Sequence, residues 1–387
     1  MSAQYAILYR GLLPAEMLTR LYTELSEVPL DASEWNQLVE ANQTGSIFLQ
    51  YHWIQTWWSN FGPGYKLRFI TAEEDDRVIG FAPLMLDNRG CIRFIGDTNA
   101  DYLDFVIPVQ QERMLSGIFD LLYEYRSDWS SIELKNIPDS SSMLDLIPCV
   151  CNKSGLTFWN KYSIEAPSLV VKGNESDTRK LLSKYSIRRT EKHLRKYGEV
   201  EFRIIKDAAG AESLWTDYFI QHVNRCDFAN RNSSFQNPKY RRFIIDLFNA
   251  DTENRFTHFS ALLVNGIAIA FHFGFISENR LLWYKPCFDI SIKKGSPGML
   301  LIKYLAEYVL DNGLDELDFT IGSETFKYRF CNTRRQVNTV CIYKSRVRFL
   351  YDYIHGLLRG TIKKIIRKPG LQFRLPPPKQ EIGEFRS

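Results

Sequence analysis

The stretch RLLWYKPCFDISIKKGSPGMLLIKYLAEYVLDNGLDELDFTIGSETFKYRF, residues 280–330, decides how this chain folds. Residues 281–287 are rich in aromatic side chains and read as a strand. A polar loop follows over 289–296, carrying Lys293, Lys294 and Gly295. Ser296 is expected to cap a helix whose first turn holds Pro297, where a missing N–H costs nothing and the ring presets φ. Leu300, Leu301, Tyr304, Leu305, Tyr308 and Val309 recur at helical spacing and give that helix one buried face. Asn312 and Gly313 end it. Residues 314–320 form a second strand, parallel to the first, because a strand, a helix and a strand in one sheet make a right-handed crossover. A short helix opened by a glycine closes the stretch.

This arrangement has a chemical consequence. Free backbone N–H groups at a helix start, reached through a glycine-containing loop with two cations, make a seat for an anion such as a pyrophosphate. The Gly-Ser-Pro-Gly turn alone also reads as a plain structural cap. Lys293 and Lys294 favour the anion, since a bare cap needs neither.

Working outward, residues 257–264 and 267–276 form a hairpin across Asn265-Gly266, a dipeptide suited to a type I′ turn. The earlier half repeats the order. Strands at 66–71 and 77–86 flank the acidic turn Glu73-Glu74-Asp75-Asp76, and then come a strand at 91–96, a loop at 97–104, a helix at 112–125, a strand at 131–136 and a short helix at 138–146. The chain therefore reads as two copies of one mixed α/β unit. Their loops differ: the first offers Asp97, Asp101 and Asp104, which repel an anion. Only the second copy is expected to bind a phosphorylated donor, with the first as scaffold and acceptor wall.

Ahead of the first copy lie a strand at 5–9, a helix at 14–25, a helix opened by Ser33-Glu34-Trp35 and a helix containing Trp53, Trp57 and Trp58. Tryptophans at this spacing read as core rather than as a stacking platform, and His52 beside them reads as packing. Between the copies, residues 163–171 are strand-like. A helix at 177–197 bears Arg179, Lys180, Lys184, Arg188, Arg189, Lys192, Arg195 and Lys196 against a lone Glu191; it faces either solvent or something negative. Helices at 212–231, with His222 and Arg225, and at 239–248 follow, and the last strand is 337–343. The expected division is 1–165, 166–345 and a basic tail at 346–387.

A chain of 387 residues, 45% hydrophobic and 24% charged, suits two domains. No run approaches the ~18 apolar residues of a membrane span, and the amino terminus has no basic region with a cleavage pattern, so a cytoplasmic protein is expected. Seven scattered cysteines without CxxC spacing read as reduced thiols, and no metal site is expected. Charge is uneven. From Lys344 onward there are eleven Lys and Arg against three Asp and Glu, a net of +8, whereas residues 1–343 carry 38 against 42, a net of −4. Within that tail Val347, Leu350, Tyr351, Ile354, Leu357 and Leu358 recur at helical spacing between basic residues. Such a helix lies on an anionic membrane, contacts a synthase complex, or docks on its own protein, and docking is the reading preferred from sequence.

Asp289, Ser296-Pro297-Gly298, Gly313, Asp318-Phe319, Gly322, Glu324, Phe326 and Lys327 together resemble the GNAT-like acyltransferase family with two tandem GNAT folds. Its members include CelD-like proteins encoded near exopolysaccharide genes, and its relatives include the Fem-type aminoacyltransferases. The resemblance covers residues 30–345 and implies a mixed α/β fold of two tandem GNAT-like units, each a mixed sheet flanked by helices. The common GNAT loop, a Gln or Arg, two residues, Gly, one residue, then Gly or Ala, is absent, so the donor stays open among acetyl-CoA, a longer acyl-CoA and a charged tRNA.

By this resemblance the donor is held by Lys293, Lys294, Gly295, Ser296, Gly298 and Lys327. Backbone groups near 284–287 bind its arm. Asp318 is the first candidate base, followed by Asp289 and Glu324, with Tyr284 as the acid for the leaving thiolate and His222 in reserve. Each carboxylate also has a structural reading: Asp289 as a loop cap, Glu324 paired with Lys327, Asp318 tying its strand to the helix. The expected activity is N-acyl transfer from acyl-CoA to an amine or hydroxyl of a small molecule, sugar or cell-envelope precursor, as in cellulose-type exopolysaccharide synthesis. The alternatives are a Fem-like peptidyl transferase using aminoacyl-tRNA and a non-catalytic accessory protein of a polysaccharide synthase.

Overall fold

Both halves of the chain lay down their elements in one order, and all twelve strands join a single mixed sheet. The computed structural model describes residues 17–253, 255–292 and 295–366. The first half runs β1 (Leu18–Tyr22), α1 (Ala32–Ala41), α2 (Tyr51–Phe61), β2 (Lys66–Glu74), β3 (Arg77–Leu86), β4 (Cys91–Phe94), α3 (Gln111–Glu124), β5 (Ser131–Pro138), α4 (Met143–Lys153) and β6 (Thr157–Val170). The second half adds α5 (Glu175–Leu182) and α6 (Tyr185–Leu194), and then repeats the order. It runs β7 (Val200–Ile205), α7 (Ala208–Glu212), α8 (Trp215–Phe228), α9 (Pro238–Ala250), β8 (Thr257–Val264), β9 (Ile267–Ser277), β10 (Arg280–Phe288), α10 (Pro297–Asp311), β11 (Glu316–Asp318) and β12 (Thr333–Tyr343). A final helix, α11 (Arg346–Ile366), leaves the sheet.

Local chemistry explains the elements. Asp31 caps α1 by accepting from the backbone N–H of Ser33 and Glu34, while Glu34 returns a bond to the N–H of Asp31, a reciprocal box that sets the helix start. Asn265 and Gly266 adopt positive φ and close the β8–β9 hairpin as their type demands. All eight residues of β8 are buried, the polar Thr257, His258 and Ser260 included.

Strand order across the sheet is β1-β2-β3-β4-β5-β12-β6-β11-β10-β9-β8-β7. Two parallel pairs, β4 with β5 and β10 with β11, mark equivalent places in the two halves. The sixth strand of each half is exchanged: β12 pairs antiparallel with β5, and β6 pairs antiparallel with β11. These two exchanged strands also pair with each other along eleven positions at the centre of the sheet. The halves further share a core, in which Trp53 and Phe61 of α2 pack on Phe243 of α9. Residue 165, expected as a boundary, falls inside β6.

Several expectations are corrected. Residues 18–22 form edge strand β1 rather than part of a helix, because Thr19 and Tyr22 suit a pleated edge and both Arg20 and Tyr22 reach Glu73 on β2. The basic helix at 177–197 is two helices, α5 and α6. The hydroxyl of Ser183 donates to the Lys180 carbonyl at the break. The helix expected at 138–146 begins later, where Ser141 Oγ accepts from the Met143 N–H. The passage at 163–171 belongs to the fourteen-residue strand β6. The strand expected at 5–9 lies outside the described residues.

Candidate active site

Strands β10 and β11 pair only from Arg280–Glu316 to Leu282–Asp318, and then part. Just there β10 shifts register against β9 between Leu282 and Lys285, so that Trp283 and Tyr284 form a bulge. Gly274 on β9 lies opposite; a Cβ on it would fall 2.0 Å from the Leu282 carbonyl oxygen. His272 places Nε2 3.1 Å from that same oxygen and so holds the bulge from behind. Burial pushes the His272 imidazole well below its ordinary pKa, which keeps it neutral.

Past the bulge the parted strands enclose a cavity of about 410 Å³. Its walls are largely apolar, with Trp283, Phe288, Phe326 and Phe330, and Ser296, Pro297, Gly298 and Met299 at the start of α10 line one end. Gly298 is needed for width: a Cβ there would lie 2.9 Å from Phe288 Cδ1. Arg225 also lines the cavity. It donates to the Pro286 carbonyl, stacks over Phe288 and meets no carboxylate within ion-pair distance among the described residues.

On the other side of Met299 and Gly295 lies an open groove of about 560 Å³ formed by α6, with Arg189, Lys192, His193 and Lys196 on it. Apolar cavity and basic groove therefore meet at the N-terminus of α10. Ser296 does not cap that helix with its side chain, as expected from sequence. It sits in the left-handed region, and its carbonyl accepts from the N–H of Met299 and Leu300 instead. Gly295, at φ +103, packs against Leu194 of α6. Lys293 and Lys294 lie outside the described residues.

Beside the bulge the loop 97–104 of the first half meets the second. Tyr284 donates to the Asn99 carbonyl at 2.5 Å and shares a 2.8 Å hydrogen bond with Tyr240. The ammonium of Lys285 lies 4.5 Å from the Tyr284 ring centroid. Asp101 stands among Lys285, Lys327 and Thr320; burial raises its carboxyl pKa, with the two cations pulling the other way.

The predicted carboxylates fare differently. Asp318 is wholly buried, with Tyr102 Oη 2.8 and 3.0 Å from its two oxygens, the Thr320 N–H donating at 2.7 Å and Arg280 3.6 Å away. Burial and the Glu316 carboxylate push it up to about 6. It therefore ties the first half to β11 and, like Asp101 and Tyr284, is not among the residues that line the cavity. Asp289 accepts from the Ser291 N–H and shapes the loop. Glu324 pairs with Lys327 at 3.1 Å and Arg231 at 3.3 Å. Lys327, expected to hold the donor, is buried and directs its three N–H bonds at the Thr320 and Ile321 carbonyls and Glu324, which leaves none for a ligand. His222, bonded to Ser233 and driven down to about 3 by burial, is a packed core histidine.

Sequence reasoning missed Asp101 as a participant, and with it Tyr102, Tyr240 and Lys285. Lys285 carried a signal, a cation in the middle of an aromatic and aliphatic strand. Asp101 carried none, since its partners lie more than 180 residues away.

Residues 182–328 match the family model described as Acetyltransferase (GNAT) domain. No curated protein matches the chain. Among solved structures, FemX superposes with a TM-score of 0.59 at 10% identity, over 84% of this chain and 98% of that one. The C-terminal DUF2156 domain of a putative lysylphosphatidylglycerol synthetase from Agrobacterium fabrum gives 0.51 at 11% identity, over 84% and 96%. A conserved protein of unknown function from Bacteroides thetaiotaomicron VPI-5482 gives 0.50 at 13%, over 84% and 100%. At such identities the likeness is one of fold: two GNAT-like units in tandem, with the family match confined to the second.

Proposed function

We propose that this tandem GNAT-fold chain is an acyltransferase that takes its acyl group from an acyl-CoA and passes it directly to an amine or hydroxyl nucleophile. One observation carries the reading: a basic groove and an apolar cavity meet at the start of α10, as a donor with a phosphorylated head and a slender uncharged arm requires. Arg189, Lys192 and Lys196 would receive the phosphates. The arm would pass Gly298 and Phe288 to the bulge at Trp283 and Tyr284, whose backbone polarises the thioester carbonyl. The nucleophile then adds to that carbonyl carbon, its proton passes to Asp101, and the thiolate leaves, reprotonated from the Tyr240–Tyr284 pair. Asp318 acts through Tyr102 as a positioning residue. The acceptor, a sugar or cell-envelope precursor by the sequence resemblance, would approach through the pocket of about 260 Å³ that reaches Tyr102 and Arg280.

A second reading, an aminoacyl-tRNA donor, is favoured by a separate observation. Lys184, Arg188, Arg189, Lys192 and Lys196 have no ion-pair partner among the described residues, a longer row of cations than a diphosphate needs.

Calorimetric titration of the chain with CoA, acetyl-CoA and tRNA separates the two. Acyl-CoA is expected to bind, and Gly298→Leu, which pushes a side chain into Phe288, to weaken it at least about a hundredfold, or about 2.7 kcal/mol. CoA binding indifferent to that change removes the cavity from the argument. Tight tRNA binding that falls steeply with salt and is lost in Arg188→Glu plus Arg189→Glu would replace the first reading with the second.

A further inference from the structure

Among its described side chains, those of residues 346–356, helix α11 touches the body with one face. Phe349 and Tyr353 pack on Trp159 of β6 at ring-centroid distances of 6.0 and 5.4 Å, Phe349 also meets Tyr343 of β12, and the backbone at Gly356 runs close past the Trp159 ring. Self-docking, expected from sequence through the apolar stripe, is made by these other residues. Of the stripe, Val347, Leu350, Tyr351 and Ile354 stay outside, 77, 52, 61 and 54% exposed, while the side chains of Leu357 and Leu358 lie outside the described ones. Their spacing of three, four and seven puts them on one side of the helix, turned about 100° or more from the docked face.

Four large apolar side chains in a row, each more than half exposed, are not what a solvated helix carries. The surrounding chain says what covers them. Lys344 to the carboxyl end holds eleven cations against three acids, while the remainder of the molecule is net negative at −4. An apolar protein partner needs no such concentration of positive charge, whereas a layer of anionic headgroups over acyl chains matches both features. No helix among the described residues is long and apolar enough to cross a membrane, so the contact is one of lying on the surface. We propose that α11 docks on an anionic lipid surface, with Val347, Leu350, Tyr351 and Ile354 entering the boundary between headgroups and acyl chains and the neighbouring cations on the lipid phosphates. Residues 1–343 are net negative overall but carry the basic face of α5 and α6, so it is the apolar stripe rather than net charge that turns α11 towards the lipid.

Cosedimentation of the full chain with two kinds of vesicle tests this without any activity assay. One kind is pure phosphatidylcholine, the other half phosphatidylglycerol. Binding is expected to the anionic vesicles alone, and to fall about tenfold or more in Val347→Asp plus Ile354→Asp and also in Arg346→Glu plus Arg348→Glu. All four side chains lie on the solvent side, so the melting temperature should hold and a folding defect is thereby distinguished. Failure of the wild-type chain to bind anionic vesicles overturns the proposal. If that failure comes with a dimer that Val347→Asp plus Ile354→Asp dissociates, a second copy covers the stripe; if the chain is monomeric, its own residues outside 17–366 do. Binding lost on charge reversal but unchanged in Val347→Asp plus Ile354→Asp also overturns it, because the attachment is then electrostatic and needs no stripe.

Discussion

The gap beyond β4 and β5 and the gap beyond β10 and β11 are the same backbone event with opposite outcomes. In the first, pairing stops after Cys91–Ser131 and Ile92–Ile132; in the second, after three pairs. A left-handed residue precedes the next helix in both, Gln110 before α3 and Ser296 before α10. Another lies beyond the parallel pairs, Asn136 within β5 and Thr320 after β11. Yet the first gap is plugged. Trp53 lies so close to Gly96 that a Cβ there would be 2.3 Å from its ring, Trp57 donates to Asn99, and Asn136 stitches the loop shut by bonds to Ala100 and Leu103. The second gap is left open as the cavity at Gly298. Parted parallel strands are thus a property of the scaffold, and a binding site is what remains where no side chain has been placed in the opening.

The exchange of β6 and β12 ties these two outcomes into one folding unit, and cutting it should give the largest effect. Fragments 1–171 and 172–387 each hold a strand that belongs beside the other's sheet. Neither fragment alone is expected to show native circular dichroism or a cooperative transition, and mixing them should restore both. A fragment that folds alone would mean the exchanged strands are dispensable. Next in size, Trp53→Ala removes the plug of the first gap and should cost about 3–5 kcal/mol in urea unfolding, with donor affinity unchanged. Appearance of a second donor site in Trp53→Ala would instead show that the plug is the whole difference between the halves.

How much of this was legible in sequence follows from range. The β10–α10–β11 crossover, the Asn265-Gly266 hairpin and the repeated order of elements rest on local periodicity and turn chemistry, and all three stand in the structure. The exchange of β6 and β12 did not show, because both strands read as strands wherever they pair. The site divides the same way. Gly298 at the cavity is local; the burial of Asp318 under Tyr102, and the arrival of Asp101 beside Lys285, depend on contacts across the halves that no window along the chain contains. Residues 18–22 also fit a helical window, because Leu18 and Leu21 stand three apart in a short edge strand.

Two buried carboxylates, one from each half, give the smallest and sharpest test. Asp104 accepts from Thr44 Oγ1 at 2.5 Å and from the Phe105 N–H at 2.9 Å, and burial raises it to about 6 with no cation beside it. Asp318 is raised to about 6 as well, but Arg280 stands 3.6 Å away. For an acid whose folded pKa exceeds its unfolded value near 3.9, the contribution to stability is fully present below that value and is lost as pH rises through about 6. Above pH 6, ionised Asp104 therefore weighs against the fold. Asp104→Asn cannot ionise and keeps one carbonyl acceptor, so it should add about 1–2 kcal/mol at pH 7.5 and nothing at pH 4. The neutral buried histidines, His222, His258 and His272, lose stability in acid equally in both proteins, so their effect cancels in the difference. Asp318→Asn should show no such gain, since the amide removes one of the two carboxylates beside Arg280 and leaves it with Glu278 alone. Urea midpoints for the two variants at both pH values decide it: a gain from Asp104→Asn that does not change with pH would mean the ionised carboxylate is not what burdens the sealed half.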